Sequence, residues 1–94
     1  MCTPKVVGGY FPCPNPDDPH VKEIAEWVVK TYHLTLLGIL ECEQQVVAGI
    51  NWRLLLKCRD ENKGENHYYQ TVVYEKPWEH LRRITDFYRL CPCE

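Results

Sequence analysis

The sequence predicts an α+β fold in which one long helix packs across a four- to five-stranded antiparallel sheet. One segment, from about residue 18 to 33, places apolar residues at helical spacing. The segments that follow, from about residue 35 to 90, alternate between apolar and polar residues or are rich in aromatic and β-branched ones, which favours strands. With 94 residues, of which 45% are hydrophobic, the chain is expected to form a single domain over residues 1–94.

The net charge and the apolar runs argue against nucleic acid and membranes as partners. A net charge of −2 gives no electrostatic reason to expect nucleic acid or an anionic membrane surface as a partner. The longest apolar run, residues 34–40, is too short to span a bilayer. Residues 1–4 lack the basic start and the apolar stretch of a signal peptide. We therefore expect a protein that either stays inside the cell or has lost its signal.

Six cysteines in a short chain suit a secreted protein stabilised by disulfides, so a secreted or vacuolar location is slightly favoured over the cytoplasm. The pairing of these cysteines does not follow from the sequence. Disulfides are expected more for the terminal cysteines than for Cys42 and Cys58. Because those two fall in apolar segments, they are interpreted as small buried hydrophobic residues.

Prolines dominate the first segment, residues 2–19, which is expected to be extended, with one short strand near Val6–Phe11. A helix is predicted next, because Asp17 or Asp18 is a good N-cap and Pro19 suits the first helical turn. The helix is expected to end near His33. Its buried face is predicted from the apolar residues at helical spacing, which are Val21, Ile24, Ala25, Val28 and Tyr32.

Three strands are predicted after the helix: Leu36–Gln45, Asn51–Arg59 and Tyr68–Tyr74. A polar turn over Asp60–Asn66 separates the second strand from the third. The second strand alternates well, and its predicted inward face consists of Trp52, Leu54, Leu56 and Cys58.

The last segment, Glu79–Leu90, is ambiguous between helix and strand. Leu81, Ile84 and Tyr88 fit a helical period. As a strand, the segment would place Ile84 with Tyr88 on one face and Leu81 with Phe87 on the other. Periodicity alone favours the helix.

The pentapeptide Gln45-Val46-Val47-Ala48-Gly49 lies between two predicted strands and would form a hairpin tip. Such tips are normally polar, whereas this one would display Val46, Val47 and Ala48 to solvent, where they gain nothing for folding. Apolar residues displayed in this way indicate that a partner buries them.

Three features stand in order along the chain: Gly8-Gly9, the pentapeptide Gln45–Gly49, and Pro77-Trp78. With them, the chain is similar to the cystatins, the protein inhibitors of papain-like cysteine proteases. The helical stretch Ile24-Ala25-Glu26-Trp27-Val28-Val29 resembles the helix signature of the plant branch, the phytocystatins, which has an aromatic residue where Trp27 stands. The resemblance extends from about Val7 to Leu90. It implies a strand, able to carry a bulge, for Glu79–Leu90, and we adopt that prediction over the helix.

The resemblance implies that an N-terminal trunk, residues 1–10, and two hairpin loops form a wedge that enters the cleft of a papain-like cysteine protease. Inhibition would be reversible and non-covalent, with no catalytic residue, metal or cofactor, and with neither nucleic acid nor membrane as a partner. The active form would be a monomer, and the central loop is the hinge at which a domain-swapped dimer could open. The residues expected to contact the protease are Val7, Gly8, Gly9, Gln45, Val46, Val47, Ala48, Gly49, Pro77 and Trp78.

The chain departs from the phytocystatins in four ways. It is several residues shorter between Ile24 and Gln45, His33 stands where an asparagine is common, the turn at Asp60–Asn66 is slightly longer, and there are six cysteines. Two other classes of function stay open. An enzyme could pair a cysteine with one of the four histidines, although no known local signature surrounds any of these cysteines. A binding module could keep the fold and lose inhibition, since a fold does not determine its function.

Overall fold

The α+β prediction is confirmed by the computed structural model, which describes residues 9–90. One helix packs on a five-stranded sheet whose strands follow the order β1-β2-β3-β4-β5, and every neighbouring pair is antiparallel. The elements are β1 (Phe11–Pro12), α1 (Pro19–Thr31), β2 (Thr35–Val47), β3 (Gly49–Asp60), β4 (Glu65–Lys76), a 3₁₀ turn (Pro77–Glu79) and β5 (Leu81–Arg89).

The first turn of α1 forms as predicted. Asp18 is the N-cap, and its Oδ1 accepts a hydrogen bond of 2.8 Å from the backbone N–H of His20. The helix ends at Thr31, two residues before the predicted end, and His33 adopts a left-handed φ of 58°. Because that conformation reverses the chain within one residue, β2 begins at Thr35, and the connection between helix and strand is short.

The core lies between α1 and one face of the sheet. The predicted inward residues of β3 are all buried, and so is most of the predicted helix stripe. Tyr32 is the exception: 43% of it is exposed, although its ring stacks on Phe87 with the centroids 3.9 Å apart. Val29 is buried in its place. The buried side chains of the helix are Val21, Ile24, Ala25, Val28 and Val29.

β2, β3 and β4 extend beyond their predicted ends, because the hairpins β2–β3 and β3–β4 stay paired almost to their turns. The first strand, by contrast, begins later than predicted. Of the predicted strand Val6–Phe11, residues 6–8 lie outside the described part, Gly9 and Tyr10 are not strand, and pairing begins at Phe11. The last strand is shorter than its predicted range, Glu79–Leu90, because Glu79 belongs to the 3₁₀ turn. Within residues 9–90, no helix is long and apolar enough to cross a membrane.

The last segment is a strand, and a bulge explains its ambiguous pattern. Val72 pairs with Asp86 whereas Val73 pairs with Ile84, so one extra residue is inserted in β5 at that point. The insertion turns Ile84 and Phe87 to the same side, where both pack against the core. The expected alternation, with Phe87 on the face opposite Ile84, was therefore wrong.

Candidate functional site

One end of the sheet, which we call the loop end, carries three segments of the predicted site. β3 runs away from the hairpin tip at Gly49 and β4 returns, so Ile50 pairs with Glu75 directly before the turn at Pro77. On the other side of the tip, β1 pairs with β2 near its end, which places Gly9 beside Gln45. Four strand spacings from β1 to β5 span about 19 Å. Val7 and Gly8 lie outside the described residues.

The hairpin tip exposes the side chains that the sequence marks as unusual. Val46 is 75% exposed and Val47 is 47% exposed, and Ala48 is exposed as well. Gly49 is buried and has a φ of 119°. A Cβ at this position would lie 2.7 Å from the carbonyl oxygen of Glu75, so only glycine allows β4 to pack this closely.

Two side-chain hydrogen bonds hold the tip in place. The hydroxyl of Tyr74, on β4, donates to the carbonyl oxygen of Ala48. The amide Nδ2 of Asn51 donates to Oε1 of Gln45 over 2.9 Å. The backbone of the tip is thus tied to the sheet, while its apolar side chains point to solvent.

The second loop displays a tryptophan on a single 3₁₀ turn. Pro77 starts the turn with its fixed φ, and His80 closes it in a left-handed conformation with a φ of 53°. The backbone N–H of His80 donates to the carbonyl of Pro77 over 3.1 Å. Trp78, in the middle of the turn, is 65% exposed. A large apolar ring is therefore displayed on a short, closed loop.

The trunk contacts β3 on the side of the sheet that faces away from the helix. The guanidinium carbon of Arg53 lies 4.3 Å from the ring centroid of Tyr10. Nε of Arg53 also donates to Oε1 of Glu43 over 2.9 Å. Burial raises the pKa of the Tyr10 hydroxyl, and of the two neighbouring charges Arg53 lowers it while Glu43 raises it. The phenol therefore stays neutral beneath the guanidinium at ordinary pH.

A disulfide links the residue after β1, the strand that follows the trunk, to β2 on the helix side of the sheet. Cys13 and Cys42 are bonded, with their Cα atoms 5.4 Å apart, and the N–H of Cys13 donates to the carbonyl of Cys42 over 2.9 Å. The interpretation of Cys42 as an unpaired buried cysteine was wrong, because β1 brings Cys13 directly beside it. Cys58 is buried and free, as expected. The terminal cysteines Cys2, Cys91 and Cys93 lie outside the described residues.

Burial raises the pKa of the Cys58 thiol to about 11. The thiolate is the reactive form of cysteine, so this thiol is a poor nucleophile at neutral pH. The described residues, 9–90, contain no group of three or more His, Cys, Asp or Glu side chains able to hold a metal ion.

A buried carboxylate lies behind the two loops. Glu75 is only 5% exposed, and its Oε1 is 2.7 Å from Nε2 of His20 and 3.3 Å from the indole nitrogen of Trp52. Its Oε2 accepts hydrogen bonds of 3.1 and 2.9 Å from Arg82, which also reaches Glu23 over 2.7 Å. Burial alone would raise the pKa of Glu75, but the hydrogen bonds from His20 and Arg82 outweigh it and lower the pKa. The network joins α1, β3, β4 and β5 at the loop end.

The sequence reasoning missed three features of this end. Phe11, on β1, is 67% exposed. Tyr74 and the Glu75 network support the tip from β4. Strict alternation from Thr71 and Val73 places Glu75 on the inward face of β4. A charged residue at an inward position could have indicated a buried ionic network from the sequence alone.

The chain is similar in sequence to one protein family and to plant proteins of known name. Residues 14–90 match the SQAPI family, described as aspartic acid proteinase inhibitor. The chain is 35% identical to Cysteine proteinase inhibitor 8 of Oryza sativa subsp. japonica over 88 residues, which cover 87% of this chain and 71% of the relative. It is 37% identical to Cysteine proteinase inhibitor 5 of Arabidopsis thaliana over 87 residues, with coverages of 86% and 70%.

Solved structures show the same fold. Mialostatin, a gut cystatin of the hard tick Ixodes ricinus, superposes with a TM-score of 0.75 at 20% identity, covering 90% of this chain and 100% of the tick protein. The salivary cystatin of the soft tick Ornithodoros moubata has a TM-score of 0.76 at 19% identity, with coverages of 89% and 98%. At these identities the likeness concerns the fold alone.

Proposed function

The chain belongs to the cystatin family, and on that premise we propose that it is a reversible, non-covalent inhibitor of papain-like cysteine proteases. The observation that carries the proposal is the hairpin tip, whose apolar side chains are exposed while its backbone is tied to β4. The names of the plant relatives, cysteine proteinase inhibitors, support the same class of target. The whole chain, residues 1–94, would act as one inhibitory domain.

The hairpin tip is proposed to enter the protease cleft near the catalytic cysteine. There the cleft would bury the apolar side chains of the tip, Val46, Val47 and Ala48, and remove them from water. Because Tyr74 already holds the carbonyl of Ala48, the tip loses little conformational freedom when it binds. A preorganised tip therefore gives a larger net free energy of binding than a flexible one.

Trp78 is proposed to stack on the primed side of the cleft. A buried indole removes roughly 150–250 Å² from water, and with 65% of Trp78 exposed, about 100–160 Å² remains to be buried. At ~25 cal/mol per Å², this corresponds to about 2.5–4 kcal/mol before the costs of association. That contribution is typical of an interface hot spot.

The trunk is proposed to occupy the non-primed subsites through Val6 and Val7, with Gly8 and Gly9 bending it away from the nucleophile. Gly9 has a φ of 84°, and a Cβ there would lie 3.0 Å from Nε2 of Gln45. No peptide bond is then presented to the protease in a geometry that it can attack, so the complex stays non-covalent. An enzymatic role through Cys58 is disfavoured, because its thiol is buried and protonated.

Two exposed side chains test this proposal. Papain is activated with thiol, freed of thiol so that the disulfide of the inhibitor survives, and titrated with wild type, Trp78→Ala and Val46→Asp. Both variants should raise the inhibition constant more than tenfold, or about 1.4 kcal/mol, because each removes apolar contact without opening the core. Tyr68→Ala, an exposed aromatic at the other end of the sheet, should inhibit like wild type. Equal inhibition by all four proteins would contradict the wedge.

The description of the matched family names a second class of target, aspartic proteinases. The same preparation is therefore assayed against pepsin. Inhibition of pepsin with papain unaffected would assign the chain to that class. If neither protease responds, the remaining interpretation is a cystatin-fold binding module that has lost inhibition.

The active form is proposed to be the monomer. A domain swap that opens the hairpin at residues 45–49 would straighten the tip and remove the exposed turn that enters the cleft.

A further inference from the structure

Phe11 lies on the same face of the sheet as Val46 and close to it. It pairs with Gln44, which places Val46 at the diagonal position of the neighbouring strand, where residues lie about 7–8 Å apart. Phe11 is 67% exposed and Val46 is 75% exposed, so both present most of their apolar surface to solvent. The two side chains extend the apolar surface of the hairpin tip towards the trunk.

A lone exposed phenylalanine is ordinary on a protein surface, but the backbone around this one is fixed from both faces. On the open face, Tyr10 packs under Arg53, which pairs with Glu43. On the helix face, the disulfide between Cys13 and Cys42 fixes the chain directly after β1 to β2. A strand of only two residues is thereby held on the edge of the sheet with its phenyl ring displayed.

We propose that Phe11 is a further specificity-determining contact of the inhibitor, packing against an apolar wall of the protease cleft on its non-primed side. The inference rests on the proposed function. The strand order places β1 and the loop of Trp78 on opposite sides of the hairpin tip, so a protease that meets Trp78 on its primed side meets Phe11 on the other. The apolar surface of Phe11 adjoins that of Val46, which is proposed to enter the cleft, so the same protease would cover both. Proteases with a polar wall at that place should be inhibited less strongly.

The test compares three variants of the full chain against papain without thiol in the assay. Phe11→Ala should raise the inhibition constant about tenfold, mainly through faster dissociation, because it removes a contact and leaves the charges unchanged. Phe11→Leu, which keeps an apolar side chain, should stay within about threefold of wild type. Tyr68→Ala is the matched exposed-aromatic control and should match wild type. The melting temperature, together with mass after alkylation, verifies that each variant is folded and that its Cys13–Cys42 disulfide is intact.

The outcomes separate this inference from the function on which it rests. If Phe11→Ala inhibits like wild type while Trp78→Ala is weakened, the role of Phe11 is wrong and the inhibitor function stands. Equal weakening by Phe11→Ala and Tyr68→Ala would also overturn the inference, since the effect would not be specific to the trunk side. If wild type leaves papain fully active, both the function and the inference are wrong.

Discussion

At the scale of single residues, Gly49 shows how the backbone of β4 dictates the composition of the hairpin tip. Its φ of 119° is one that other residues rarely adopt, and the carbonyl of Glu75 and the ring of Tyr74 occupy the space that a Cβ would need. The apolar residues before it have no such constraint, because Val46 and Val47 point to solvent. The glycine is therefore required by the fold, whereas the two valines are not required by it and remain available to contact a partner.

Gly49→Ala is expected to lower the free energy of unfolding by about 1–3 kcal/mol, because it combines a strained φ with the contact to the Glu75 carbonyl. Gly38→Ala is the matched control: no atom lies within 4 Å of the added Cβ, and its φ is not positive. The control should stay within about 0.5 kcal/mol of wild type. Urea denaturation measures both, and equal stability of the two variants would refute the steric role of Gly49.

Glu75 gives the stability of the fold a predicted dependence on pH. Its pKa is lowered from an ordinary value of 4.5, so the folded state holds the carboxylate more strongly than the unfolded state does. The stabilisation is therefore complete above the ordinary value and is lost as the pH falls through the lowered pKa. Glu75→Gln should cost about 1–3 kcal/mol at neutral pH, because it leaves Arg82 and His20 with a weaker partner.

Denaturation between neutral pH and about pH 3 checks this prediction, since the variant should lose less stability on acidification than wild type. Glu61→Gln is the control, because the ion pair of Glu61 with Arg59 is exposed and contributes little. Parallel acid profiles for wild type and Glu75→Gln would contradict the role assigned to the carboxylate.

At the scale of elements, β1 depends on its attachments more than on its own pairing. It has two residues, and its register with β2 is defined by two pairs only, Phe11 with Gln44 and Pro12 with Glu43. The Cys13–Cys42 disulfide supplies the link that such a short strand lacks. The trunk is thus the element of the loop end most sensitive to reduction, whereas the hairpin tip joins β2 to β3 and the Trp78 loop joins β4 to β5, and these strands pair over many residues.

Replacing Cys13 and Cys42 together by serine should weaken inhibition of papain, mainly by faster dissociation, while the far-UV circular dichroism of the helix and sheet is retained. The disulfide closes a separation of 29 residues, and the loss of stability should be about 2–4 kcal/mol. Cys58→Ser, at the buried free thiol, is the control for cysteine content and should not change the dissociation rate. Dissociation rates are measured by displacement of papain from the preformed complex, and unchanged rates in the double variant would contradict the attachment of the trunk by this bond.

At the scale of the whole molecule, the helix, the three strands after it and the hairpin tip could be predicted from local patterns in the sequence, whereas the last strand was predicted only from the resemblance. The helix follows from its spacing and cap, and the tip from apolar residues between two strands. The Cys13–Cys42 pair could not be predicted, because it depends on which strands meet. The bulge between Ile84 and Phe87 imitates a helical period, and a register shift of this kind is visible only once β4 is in place.

The central claim is that the loop end forms one surface that blocks a papain-like protease without reacting with it. A titration of thiol-activated, thiol-free papain with the monomeric wild-type protein tests this claim most directly, with residual activity and the mass of the recovered inhibitor as readouts. We expect stoichiometric loss of activity, recovery of activity when the complex dissociates, and an inhibitor of unchanged mass. Papain that stays fully active at micromolar inhibitor, or an inhibitor recovered cleaved or covalently attached, would contradict the account.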